Sequence, residues 1–157
     1  MSISSDLTQA LIARLATIKQ AAGYVTDIKK VFYPLGTAQY QPMGGDMAPH
    51  EMPGLIVYQG PVQVEPQHSL NNMIATYYIE IVREWCPDSD MWDAVNDIGK
   101  AVFGGSSTAT ENTSYRFHPS VVEPKIESIT PDFGMLTGHR IWVVVLLVHY
   151  RCRYTNL

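Results

Sequence analysis

Three stretches place chemically capable residues at suggestive spacings, and each lacks a residue that its chemistry requires. His50 and Glu51 open the H-E-x-x-H pattern, in which two histidines one helical turn apart grip zinc while the glutamate serves as base. Gly54 stands where the second histidine belongs, and Pro53 breaks the helix that would present both ligands. Asp88, Asp90, Asp93 and Asp97 suggest calcium, but an EF-hand loop starting at Asp88 would need glycine and glutamate where Asp93 and Gly99 stand. Gly105, Ser106 and Ser107 begin the G-x-S-x-G turn of a serine nucleophile. Ala109 replaces its second glycine, and the serines follow a helical pattern where the turn requires a strand.

The remaining candidates are dispersed. His50, His68, His118, His139 and His149 fall on different elements, and the Walker loop, the dinucleotide glycine triplet and the paired CxxC are absent. Cys86 and Cys152 have no metal spacing and read as free thiols. Asn112-Thr113-Ser114 matches a glycosylation acceptor, which carries meaning only in an exported chain. The expectation is a protein with no catalytic residues, no metal and no cofactor.

Composition points toward assembly. At 157 residues the chain fits one domain, residues 1–157, with long loops at about 33–53 and 104–138. A hydrophobic content of 46% with only 17% charged residues argues against disorder and leaves a surface short of charge for a free monomer. The formal charge of −4 offers no general attraction for nucleic acid or anionic lipid. The longest apolar run, residues 141–148, is far short of the ~20 that span a bilayer, and the first residues lack an export signal, so no membrane partner is expected.

The elements that must position any site follow from periodicity. Ser5 and Asp6 precede a helical stripe of Leu7, Leu11, Leu15, Ile18 and Ala22, which Gly23 is placed to end. Residues 24–32 read as a half-exposed strand near an edge, 55–59 as a short strand closed by Gly60 and Pro61 that 62–65 extends, and 72–84 as a long strand with Met73, Ala75, Tyr77, Ile79 and Ile81 on its core face. Pro87 and an acidic first turn open a second helix with Met91, Val95, Ile98 and Val102 on one stripe, ended by Gly104 and Gly105. Residues 115–118 and 121–130 supply short extended pieces broken by Pro119, Pro124 and Pro131. The last strand, 141–153, is apolar on both alternating faces and must be covered twice. Two helices of this length cover one face of a small sheet, so the second face awaits another layer or another copy. The fold class expected is α+β, a mixed, mainly antiparallel β-sheet with two amphipathic helices packed on one face.

Candidate contact residues come from the loops and the exposed helix face. The Pro- and Gly-rich segment 33–53 carries Tyr40, Met43, Met47 and Met52, apolar groups that a solvated linker does not need. It reads as a loop ordered by a partner, with an Ω-loop folded back on its own domain as the alternative. Thr108, Ala109, Thr110 and Glu111 form a second, small and polar loop. Asp93 and Asp97 lie one turn apart on what the pattern makes the exposed helix face, a like-charge pair that a basic partner would relieve. Trp92 and Trp142 are expected in the core, and Trp85 in the core or an interface.

The order of elements, with Gly23 and Tyr24 after the first helix, the run Met52-Pro53-Gly54-Leu55-Ile56-Val57-Tyr58, a long strand ending near Arg83, the helix 92–103 and the closing Val148-His149-Tyr150-Arg151-Cys152-Arg153, resembles the tail terminator (tail completion) proteins of long-tailed bacteriophages, the lambda U-type family. The resemblance covers most of the chain and rests on pattern and order. It implies a non-enzymatic virion protein, assembled in the host cytoplasm, whose subunits form a hexameric ring that caps the tail tube. The partners it implies are the chain itself, the tail tube protein and a head-completion or connector protein, with DNA passing through the lumen unbound. Other neck or tail components, and an α+β domain with a small-ligand pocket under the 33–53 loop, are the alternatives.

Overall fold

The computed structural model describes residues 3–34, 47–67, 70–104, 117–132 and 138–153. Five strands form one sheet in the order β1-β2-β3-β5-β4, where β1 is Lys30–Phe32, β2 Gly54–Gln67, β3 Leu70–Glu84, β4 Val121–Thr130 and β5 His139–Arg153. Among the described residues only β1 and β2 run parallel. Helices α1 (Ile3–Leu15) and α2 (Asp88–Gly99) lie on the same face, giving the expected α+β layering.

Alternation explains the sheet. Leu55 and Val57 of β2, Tyr77, Ile79 and Ile81 of β3, and Trp142, Val144 and Leu146 of β5 stand side by side in register and are buried with the apolar stripes of the two helices. Leu7, Leu11 and Leu15 supply the stripe of α1, and Met91, Ala94, Val95 and Ile98 that of α2. The Thr8 hydroxyl donates to the Ser4 carbonyl (3.0 Å) and shares a 2.9 Å hydrogen bond with the Tyr77 hydroxyl, which pins α1 to the centre of β3.

Several boundaries differ from expectation for local reasons. Helix α1 stops at Leu15, not Ala22, because Thr17 turns its hydroxyl onto the Arg14 carbonyl (2.6 Å) and Ile18 N–H takes the Leu15 carbonyl, tightening the turn. Ile18 still reaches the core. A 3-10 turn, Gln20–Ala22, then ends at Gly23 in the left-handed region (φ 94°). Residues 24–29 do not join the sheet, so the strand expected at 24–32 shrinks to β1. The amides of Val25 and Thr26 bond to a carboxylate on α2, and the Ile28 amide bonds to the Ile18 carbonyl. Strand β2 continues through Gly60 and Pro61, absorbing them in a bulge between Gln59 and Val62. A Cβ at Gly60 would sit 2.6 Å from Tyr78 Cε2, so glycine permits the close crossing there. Helix α2 ends in a π-turn, Lys100–Gly104. Strand β4 accommodates Pro124 because it is the sheet's edge.

The second face of the sheet is partly covered by the chain itself. Met47 and Met52 are buried against Ile56, Tyr58, Val82 and Ile141, with Phe32 and Tyr78 beside them. Farther along β5 on that face, Val145, Leu147 and His149 are half-buried. Glu80 lies fully buried in the same layer, where the Tyr58 hydroxyl donates to its Oε2 at 3.3 Å.

Candidate contact surface

The chain's three tryptophans, two of them seven residues apart and the third fifty residues further on, meet at one corner. Strand β3 ends at Glu84, and Pro87 caps α2 from an extended conformation, so Trp85 and Cys86 are confined to a tight strand-to-helix turn. One turn into α2, Trp92 lies edge-on to Trp142 of β5, with centroids 4.9 Å apart at 85°. Arg140, the second residue of β5, places its guanidinium 5.3 Å from the Trp85 ring centre and 5.6 Å from that of Trp142.

Arg140 is 6% exposed, and its donors are committed inward. Nε and Nη2 reach the two oxygens of Asp132 at 3.0 and 2.9 Å, while Nη1 reaches Asp88 Oδ1 at 2.5 Å and the Cys86 carbonyl at 3.1 Å. Asp132 adopts a positive φ of 48°, and its Oδ1 also accepts the Trp142 indole N–H at 3.3 Å. Hydrogen bonds from Arg140 hold the Asp132 carboxyl below the usual carboxylate range, and the same bonds push the Arg140 pKa up. The node ties together the β3–α2 turn, the turn after β4 and the start of β5.

What this rigid node presents is apolar. Trp85 is 76% exposed and Trp92 44%, both backed by the Arg140–Trp142 stack. Beside Trp85 lies an open groove of about 270 Å³, lined among others by Lys29, Pro49, Met52, Arg83 and Cys86. One wall is fastened by Glu51, whose carboxylate accepts the Ala48 N–H and Lys30 Nζ, each at 3.1 Å, and is thereby held below its ordinary pKa. Burial pushes the Cys86 and Cys152 thiols up, and both cysteines are free. A rigid cluster of exposed tryptophan backed by arginine is suited to gripping another protein surface.

The sequence-derived contact residues fare differently. Tyr40, Met43, Thr108, Ala109, Thr110 and Glu111 lie outside the described residues. Met47 and Met52 are buried on the second sheet face, so this part of the 33–53 segment folds back on its own domain. Asp93 is half-buried, and Asp97 is not on an exposed face: it is 4% exposed, and its carboxylate accepts the amides of Val25 (3.2 Å) and Thr26 (2.5 Å). Trp142 is in the core as expected, whereas Trp92 is largely at the surface. The signal that could have found the corner was the Trp85-Cys86-Pro87 junction, where a strand gives way to a helix with no room to turn Trp85 inward. Among the described residues no three His, Cys, Asp or Glu side chains gather as metal ligands, and no helix is long and apolar enough to cross a membrane.

No protein-family model matches the sequence, and no curated protein matches it. Among solved structures, a chain in the virion of a native gene transfer agent particle shares the fold. The TM-score is 0.55 at 10% identity, covering 94% of this chain and 97% of that one.

Proposed function

We propose that this chain is a structural component of a virion, the subunit of a ring that caps a phage tail tube, ends its polymerisation and provides the surface on which the head docks. The observation that carries the reading is the near end-to-end likeness of fold to a chain from a virion, where the match leaves little of either chain over. The element order that resembles the lambda U-type tail terminators adds the narrower role. The tryptophan corner supplies the exposed contact area that an assembling subunit needs. In this reading the partners are other copies of the chain, six to a ring, together with the tail tube protein and a head-completion or connector protein. The formal charge of −4 suits a lumen that lets DNA pass without the phosphate contacts that would retain it. No step of catalysis belongs to this role, and the protein works in the virion after assembly in the host cytoplasm.

The test is native mass spectrometry with negative-stain electron microscopy on the purified protein, alone and with tail tubes. Closed rings, or tubes that stop growing when the protein is added, agree with the proposal. Open tubes of the protein itself would make it a tube subunit, and a monomer that ignores tail tubes would overturn the assembly reading.

A further inference from the structure

Resting on that assembly reading, we propose that the tryptophan corner is one half of a head-to-tail contact between copies of this chain. The other half is the C-terminal end of β5, which seats Arg151 or Arg153 of a second copy on the open face of Trp85.

One face of the Trp85 ring is taken by Arg140, yet the side chain remains 76% exposed, which leaves the opposite face open to a second cation. The rim on this side is acidic. Asp88 and Asp132 together outweigh the single positive charge of the Arg140 that they share, and exposed Glu84 adds to them, while Arg83 is turned onto the Asp90 carbonyl. Lys29 adds a positive charge in the groove, so the acidic approach is from the side of α2 and the turn after β4.

The far end of the molecule offers the complement. Arg151 and Arg153 are exposed on one side of β5, with exposed Lys125 on the neighbouring strand, and none of the three forms an ion pair among the described residues. Exposed Val64 and Val122 flank this end with apolar surface. Glu65 and Glu123 dilute the charge there and Glu127 offsets Lys125, so the cations offered at the strand end are Arg151 and Arg153 themselves. Arg140 and Arg151 belong to one strand and stand about 36 Å apart at roughly 3.3 Å per residue, so the two ends cannot meet within a subunit. A contact between different patches is heterologous, and it closes into a ring when its rotation permits.

Pairing through the sheet edges is disfavoured. Strand β4 carries Pro124, two register shifts and the charges of Glu123, Lys125 and Glu127, and β2 carries Pro61 at its bulge. A side-chain contact therefore fits the molecule better than strand addition.

The experiment compares the full-length wild type with Trp85→Ala and with the double variant Arg151→Glu/Arg153→Glu, by native mass spectrometry and sedimentation. All three positions are exposed, and thermal melts confirm that the variants fold. Each variant is expected to weaken self-association at least about tenfold, and raised salt should weaken the wild type in the same direction. An equimolar mixture of the two variants retains one intact contact per pair, so it should give dimers and no rings. Rings from either variant at wild-type concentrations would overturn this contact while leaving the ring reading intact. A wild type that stays monomeric with and without tail tubes would overturn both.

Discussion

Arg83 and Arg140 stand directly opposite one another in the β3–β5 ladder, two like charges on one face of the sheet. Opposed like charges destabilise a sheet, and here each guanidinium is drawn toward a different acceptor. Arg83 donates to the Asp90 carbonyl at 3.0 Å, while Arg140 is held by Asp132, Asp88 and the Cys86 carbonyl. The repulsion is thus resolved by the start of α2 and the turn after β4, which makes Asp132 important to the corner.

The Asp132 carboxyl titrates below its ordinary range because Arg140 bonds to its charged form. A carboxylate with a depressed folded pKa contributes stability above its unfolded pKa and loses that contribution as pH falls through the folded value. Asp132→Ala is expected to cost about 1 kcal/mol at neutral pH, a figure discounted for the solvent exposure of the pair. The deficit should shrink in acid, below the ordinary carboxylate range. Urea midpoints at neutral pH and near pH 2 check this, and an undiminished deficit in acid would argue against the clasp.

Asp97 holds the turn after α1 to α2. Its removal would leave the amides of Val25 and Thr26 without their acceptor, and Thr26 is buried. Asp97→Ala should therefore cost about 2–3 kcal/mol, and Asp97→Asn, which keeps one acceptor oxygen, less. Hydrogen exchange at the two amides should accelerate before the rest of the fold is affected. Protection unchanged at both would refute the tether.

Burial pushes the Tyr77 hydroxyl up to about 12 despite its bond to Thr8. Unfolded tyrosine loses its proton near pH 10, so between about pH 10 and 12 the unfolded state binds fewer protons than the native state and stability falls as pH rises. Tyr77→Phe should lower stability by about 1 kcal/mol at neutral pH through the lost hydrogen bond. It should also lose less stability than the wild type between pH 9 and 11. Tyr150, raised by burial as well, sets the residual slope in the variant.

Two glycines should respond with opposite signs. A Cβ at Gly54 would fall 2.6 Å from Met47 Sδ and 2.7 Å from the Glu51 carbonyl oxygen, so Gly54→Ala must displace backbone and should cost about 1–3 kcal/mol. A Cβ at Gly99 meets Phe103 and Ile126 only at 3.8 and 3.9 Å, so Gly99→Ala, at the end of α2, should gain about 0.5–1 kcal/mol. Thermal melts of the two variants decide both expectations.

The sequence alone determined the layering, because periodicity is a local property that burial enforces along each element. The alternation in β3, the doubly apolar β5 and the stripes of α1 and α2 stated which faces turn inward, and the five-stranded sheet with both helices on one side follows from them. Tertiary structure decided what the polar and aromatic residues do. Asp97 carries the same charge as Asp93, and only the fold turns it toward two amides of a segment more than seventy residues away. No spacing links Trp85 and Trp92 to Arg140 and Trp142, which stand about fifty residues further along the chain. Their convergence depends on strand register and on where α2 begins, and these are set by contacts between elements rather than within them.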